Sequence, residues 1–335
     1  MTDAKDLYKA ALKASYAMRA MFFYKKFKDA SLHALVSQVH SLKIADRKWK
    51  LHQDLGISTS AMKRIKKSGM PIATCFCHPD VIQENPYLIL YYRVIACIPQ
   101  KGMAELAFGI SKLEIGQGRK LTNLRAHQLA KAINEVMSTI IESDPDFFST
   151  NLELLAYTAF GVTIDGSWSN KIGIEASRQV KDILFTHFYN AGLISSVTLL
   201  DGNKAKPTKA TLTTAIRDFS LSNGYTIMFS SEPDIGIWDP GGKLIGVVEI
   251  KGGLDTAGAL ERLGAAKKTF DEALNTNSEA LTMYLACCIT ETVKTRIASD
   301  RSFKKTVDLT SVFLDDESRK SFIDELRWWV RLPKS

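Results

Sequence analysis

The chain is short of several things, and each shortage closes off a class of protein. No uninterrupted apolar run approaches the ~18 residues that a membrane span requires, so no transmembrane helix is expected. The first residues, MTDAKDLYKAALKASYAMRAMFF, form a charged amphipathic pattern and not a signal-peptide core. Cysteine is scarce: five residues without framework spacing exclude a disulfide scaffold and suit a reducing cytoplasm. Cys75, Cys77 and His78 lack a C-x-x-C partner, with only Cys97 nearby, so zinc is not expected there. Gly116 and Gly118 lack the third glycine of a dinucleotide fingerprint, and no Walker A motif occurs, so no nucleotide cofactor is expected. Internal repeats and low-complexity segments are absent.

What is present is a basic first half. Residues 1–150 hold 22 Lys and Arg against 13 Asp and Glu, whereas the remainder holds 22 against 23. The whole excess of +8 therefore sits in the first half, which suits a polyanionic partner. Apolar residues recur there at helical spacing, as at Leu7, Ala11, Ala14 and Met18, then at Leu32, Leu35, Val36 and Val39. Between Leu51 and Pro71, Gly56 breaks one helix, Ser58 caps the next, and Gly69-Met70-Pro71 ends it. This is a helix-turn-helix pattern whose second helix carries Lys63, Arg64, Lys66 and Lys67 as candidate DNA contacts. A solvated basic helix has the same pattern. Arg93 reads equally as a phosphate or base contact and as a buried structural arginine. Another amphipathic helix is expected over 121–142, and Ser143-Asp144-Pro145-Asp146 marks a boundary between a helical domain, 1–145, and a second domain, 146–335.

The second half is organised around Ser230–Gly253. Two strand-forming runs, IGIW and KLIGVVEI, flank Asp239-Pro240-Gly241-Gly242. Proline at the second turn position and glycine at the third suit a type II turn, and hence a β-hairpin. If Asp239 pairs with Gly242, Trp238 faces Lys243 and Asp234 faces Val247. Val247, Glu249 and Lys251 then share a face with Asp234. Asp234 and Glu249 become diagonal neighbours about 7–8 Å apart, provided that no bulge intervenes. Two carboxylates so placed can share a divalent cation, the Ile250 carbonyl can supply a further ligand, and Lys251 points into the same space. Phosphodiester hydrolysis wants this set: Mg²⁺ is held by one or two carboxylates plus substrate oxygens, and an ammonium offsets developing negative charge. A surface salt bridge is the plainer reading, but these charges sit in an otherwise apolar strand, where they need a partner or a metal.

Pro233-Asp234, fourteen residues, then Glu249-Ile250-Lys251 resembles the PD-(D/E)XK nuclease motif. PD also occurs at Pro79-Asp80 and Pro145-Asp146, but E-x-K occurs only at Glu249, so one pairing has a workable spacing. The segments EIKGGLDTAGALERLGAAKKTF and FCHPDVIQENPYLILYYRVIACIPQKGMAEL resemble type II restriction endonucleases of the XcyI and XamI kind. The resemblance implies an α/β restriction-endonuclease-like fold: a helical N-terminal half, and a C-terminal mixed β-sheet flanked by helices. It implies Mg²⁺-dependent cleavage of double-stranded DNA at a short palindrome, 5′-phosphate ends, and a homodimer. Glu175, on the helix read from Lys171 to Gly192, matches by position a carboxylate that such nucleases place near the metal. A strand is expected at Leu193–Leu200, then a basic loop at 201–209, a helix to about Ser222, and a strand at Tyr225–Phe229. A helix follows the hairpin, on which Arg262 and Lys267 are candidate phosphate contacts. A buried strand at Ala280–Ile289 and another at Val307–Phe313 complete the half. Two rival readings fit the same residues: a PD-(D/E)XK nuclease of repair or structure-specific type, and a non-catalytic helix-turn-helix regulator.

Overall fold

The computed structural model describes residues 4–144, 149–208, 211 and 213–334. Pro145-Asp146 and Lys209 lie outside them. The chain divides into two units, one of residues 19–168 and one of residues 1–18 with 169–335.

The first unit is helical. It draws on α1 (Ala4–Ala30), α2 (Leu32–His40), α3 (Thr59–Ser68), α4 (Ile72–Cys75), α5 (Pro79–Glu84), α6 (Ile89–Ile95), α7 (Gln100–Leu106), α8 (Ser111–Glu114), α9 (Asn123–Ser143) and the start of α10 (Ser149–Asn190). Its centre is α9, capped by the Thr122 side chain, which buries Leu129, Ala130, Ile133, Met137 and Ile141 at helical spacing. Asn134 lies fully inside this stripe. Its Oδ1 accepts the Cys77 N–H at 2.7 Å, and its Nδ2 donates to the Leu55 and Cys77 carbonyls at 2.9 Å each. One buried amide thus ties α9 to two loops. Arg93 is a structural arginine: it is 1% exposed, with Nε 2.5 Å from Glu114 Oε1 and Nη1 donating to the Ile98 carbonyl. The helix-turn-helix expected here is present only as its second helix. Ser58 caps α3 through the Ala61 N–H as predicted, but a four-residue 3-10 turn, Asp46–Trp49, and further turns through Gly56 stand in place of the expected first helix.

The second unit is a mixed sheet of eight strands in the order β2-β1-β3-β4-β5-β6-β7-β8. The strands are β1 (Ile194–Leu199), β2 (Lys204–Ala205), β3 (Ile216–Leu221), β4 (Thr226–Phe229), β5 (Ile235–Trp238), β6 (Leu244–Lys251), β7 (Leu281–Ala286) and β8 (Lys305–Asp308). Pairing is antiparallel up to β6 and parallel from β6 through β8. One face packs on α10 and on α14 (Asp316–Trp329), through Val248 and Ile250 among others. The other face packs on α11 (Ala259–Thr276) through Val247 and Tyr284. The remaining helices are α12 (Glu291–Ala298) and α13 (Leu309–Leu314).

Two element assignments change. The helix expected to end near Ser222 is β3, whose buried Ile216, Phe219 and Leu221 pair between β1 and β4; sheet pairing, not local propensity, decided it. The strand expected at Val307–Phe313 stops at Asp308, because the Asp308 carboxylate caps α13 by accepting the Thr310 and Ser311 N–H groups.

Replacing Asn134 with alanine strands buried groups on both loops. Asn134→Ala should lower the unfolding free energy of the helical unit by about 3 kcal/mol, at roughly 1–3 kcal/mol for each group left unpaired. Urea unfolding checks this, and a loss below about 1 kcal/mol would show that the loops rehydrate freely.

Candidate active site

The β5–β6 hairpin forms, but its turn is not the expected one. Positive φ falls on Gly242, at +81°, and not on Gly241. The Gly242 N–H donates to the Asp239 carbonyl at 3.0 Å, and Asp239 pairs with Lys243. Asp239 Oδ1 accepts both the Gly241 and Lys243 N–H groups at 2.9 Å, which favours a type I turn followed by a left-handed glycine. Trp238 therefore faces Leu244 and not Lys243. A bulge at Ile245 adds a second shift, so that Ile237 faces Gly246 and Ile235 faces Val248. Continuing the ladder by one step sets Asp234 opposite Glu249. Two single-residue shifts sum to an even number, so every side chain returns to the predicted face. Asp234 and Glu249 are consequently direct neighbours across the hairpin, closer than the diagonal pair expected.

The site's hydrogen bonds follow from this register. Asp234 Oδ2 accepts the Ile250 N–H at 2.8 Å. The N–H and C=O of one strand residue point to the same edge, so the Ile250 carbonyl is directed toward the Asp234 side. Lys251 Nζ lies 2.5 Å from Glu249 Oε2 and 3.7 Å from Asp234 Oδ2. Glu249 is 2% exposed, and its Oε1 is buried with no hydrogen-bond partner in the protein. Burial, reinforced by the neighbouring Glu249 carboxylate, pushes Asp234 up to about 6. Two carboxylates are thus held together in the low-dielectric interior with one ammonium between them.

The other sequence candidates have different surroundings. Glu175 lies on α10, packed on the face opposite Glu249: a Cβ at Gly252 would meet Ala176 and the Ile172 carbonyl at under 3 Å. Arg178 holds Glu175 with two hydrogen bonds, and Gln179 with a third, which keeps it below the usual carboxylate range. It does not join Asp234 and Glu249: among the described residues, no group of three or more His, Cys, Asp and Glu side chains is placed to hold a metal. Arg262 pairs with Asp255 at 2.7 Å, and Lys267 bridges Asp300 at 2.9 Å and Asp271 at 3.2 Å. On α3, Lys63, Lys66 and Lys67 are exposed, whereas Arg64 donates to the Ile141 and Glu142 carbonyls at the end of α9. A cationic C-terminal cap is reason enough for that arginine. Sequence reading passes over Tyr284, which lies beside Glu249 on β7; the signal is a phenol within a mostly apolar run.

A mixed sheet carrying two carboxylates and a lysine at the open end of a central hairpin suits hydrolysis of a phosphate ester, and comparison with known families gives the class as restriction endonuclease. The match extends over residues 24–302, most of the chain, and the chain belongs to the XcyI restriction endonuclease family. Membership implies a site-specific nuclease acting on double-stranded DNA. No curated protein matches the chain. Among the described residues, no helix is long and apolar enough to cross a membrane.

The raised Asp234 makes stability depend on pH in a defined direction. Below about pH 4 the carboxyl is protonated in both folded and unfolded chains and carries no penalty. From there to about pH 6 the unfolded chain ionises first, so stability falls as pH rises, and the penalty is complete above the folded value. In metal-free buffer, Asp234→Asn should therefore gain on the order of 2–3 kcal/mol over wild type at pH 8 and almost nothing at pH 4. Urea midpoints at the two pH values test this; the same difference at both would locate the effect outside this carboxyl.

Proposed function

We propose that the chain is a type II restriction endonuclease of the PD-(D/E)XK class, with its active site at Asp234, Glu249 and Lys251. The observation that carries this reading is the convergence of the three side chains on one face, with Glu249 Oε1 buried and unpartnered. An orphaned carboxylate oxygen beside a second carboxylate is chemically suited to a hard cation. Asp234, Glu249 and the Ile250 carbonyl would hold Mg²⁺, which would supply charge to stabilise the phosphoryl oxygens and lower the pKa of a water.

This chain's own residues do the rest. The Ile250 N–H fixes Asp234 through Oδ2, so that Oδ1 would be available to a cation. Lys251 balances the two carboxylates in the resting protein. When the scissile phosphate arrives, its ammonium orients the attacking water and offsets the negative charge that grows on the phosphorane. The water gives up a proton to solvent as its oxygen bonds to phosphorus, the bond to the 3′ oxygen breaks and that oxygen takes up a proton, and the products carry a 5′-phosphate and a 3′-hydroxyl. Glu175, on the far side of Gly252, supports the site through α10 and does not ligate the metal. Recognition belongs to the helical domain, whose exposed Lys63, Lys66 and Lys67 meet phosphates. A short palindromic target read by a homodimer, in the cytoplasm, completes the reading.

Asp234→Ala and Glu249→Ala should abolish cleavage of plasmid DNA in Mg²⁺ while preserving binding. Lys251→Ala should keep binding and lose on the order of 10²–10³ in single-turnover rate, the usual effect of removing one transition-state electrostatic group. Lys251→Arg should rescue poorly, since a planar guanidinium is a poor substitute for a compact ammonium. Cleavage near wild-type rate in either carboxylate variant would refute the assignment.

Neutralising Lys63, Lys66 and Lys67 should flatten the salt dependence of DNA binding by about 0.9 in log–log slope for each phosphate no longer neutralised. Arg64 is left intact in that experiment because it caps α9. An unchanged slope would make α3 a solvated face.

A further inference from the structure

Among the described residues of the sheet unit, two buried side-chain atoms have no hydrogen-bond partner in the protein: Glu249 Oε1 and Tyr284 Oη. They belong to adjacent residues. Glu249 on β6 stands in register with Tyr284 on β7 across a parallel ladder, so the two side chains share a face about 4.8 Å apart at the backbone. Tyr284 is fully buried, with its ring edge-on to Phe303, whose own ring is edge-on to Phe270. That packing fixes where the hydroxyl lies.

The strand has no use for a phenol on packing grounds. The buried neighbours of Tyr284 on the same face include Val247, Phe270, Ala286 and Phe303, all apolar, and phenylalanine would fill the same space without burying a hydroxyl. Buried hydroxyls are retained where they have a partner. The register supplies one: Glu249 stands beside Tyr284 on the same face, its Oε1 equally without a partner in the protein.

We propose that Tyr284 is a positioning residue for Glu249, its hydroxyl donating through one ordered water to Glu249 Oε1. A carboxylate oxygen has two lone pairs, so Oε1 can take this bond on one and would keep the other for a cation. Oε2 stays with Lys251. A glutamate has three side-chain torsions to fix, and the lysine alone restrains only one of its oxygens. The tyrosine thus does for this carboxylate what outer hydrogen-bond partners do for metal ligands generally. Its catalytic consequence rests on the nuclease reading above; the hydrogen-bonded link itself does not.

The test is Tyr284→Phe, which keeps the ring packing and removes one oxygen. In metal-free buffer, thermal unfolding is measured for wild type, Tyr284→Phe, Glu249→Ala and the double variant. The link predicts that Tyr284→Phe lowers the melting midpoint of wild type but leaves that of Glu249→Ala unchanged or raises it. Equal shifts in both backgrounds would overturn the link. Single-turnover cleavage by Tyr284→Phe should fall by roughly 10–100-fold, and half-saturating Mg²⁺ should rise, with DNA affinity unchanged. Wild-type cleavage at wild-type Mg²⁺ demand would overturn the positioning role. If wild type itself does not cut DNA, the nuclease reading fails, and the unfolding cycle alone decides the link.

Discussion

The structure turns on a charge placed where a sheet least tolerates one. Glu249 sits in β6, flanked on both sides by other strands and covered on both faces by helices, and it is 2% exposed. Burying a carboxylate there without partners would be costly. The protein instead closes β5 against β6 so that Asp234 and the Lys251 ammonium converge on it. The antiparallel hairpin brings the start of β5 and the end of β6 to the same side, opposite the turn, and the three groups occupy that end. The electrostatics follow: burial, reinforced by the neighbouring Glu249 carboxylate, raises the Asp234 pKa, and the lysine keeps both acids in place.

Positive charge is distributed by a different rule in each unit. In the sheet unit, the cations beside the site are mostly spoken for: Arg262 by Asp255, Lys267 by Asp271 and Asp300, and Lys268 near Glu232 and Glu272. Exposed pairs of this kind contribute little to stability but hold side chains in a definite arrangement. In the helical unit, the lysines of α3 are exposed, and the net charge of the first half is unbalanced. A long polyanion would be drawn to the unbalanced surface, while the paired one offers shape more than attraction.

The hairpin was legible because its signals are local: turn residues, β-branched flanks, and charges set in an apolar run. Its register was legible only in parity. Asp239 accepting two backbone N–H groups selected a type I turn, which the Pro-Gly pair did not advertise, and the bulge at Ile245 left no mark in composition. β3 and the β8–α13 corner escape a local reading because sheet neighbours and a capping aspartate outweigh propensity. Arg64 and Arg93 are both arginines in a basic half, yet both are occupied by carbonyls or a buried glutamate, and no one-dimensional pattern separates them from the exposed lysines. Tyr284 is the opposite case. Its hydroxyl is visible in the sequence as an anomaly, but its neighbour becomes visible only with the parallel register.

The compensated hairpin also constrains how this gene can drift. Its turn, Asp239–Gly242, lies at the far end of β5 from Asp234, and exposed loop tips ordinarily absorb insertions and deletions without harm. Here the tip is geared to the active site. Gaining or losing one residue would slide β5 by one step and swing Asp234 to the α10 face, away from Glu249, unless the bulge at Ile245 vanished or doubled in the same lineage. Length change at this tip is therefore viable where the turn itself takes it up, or where the bulge at Ile245 changes with it and restores the facing of Asp234 and Glu249.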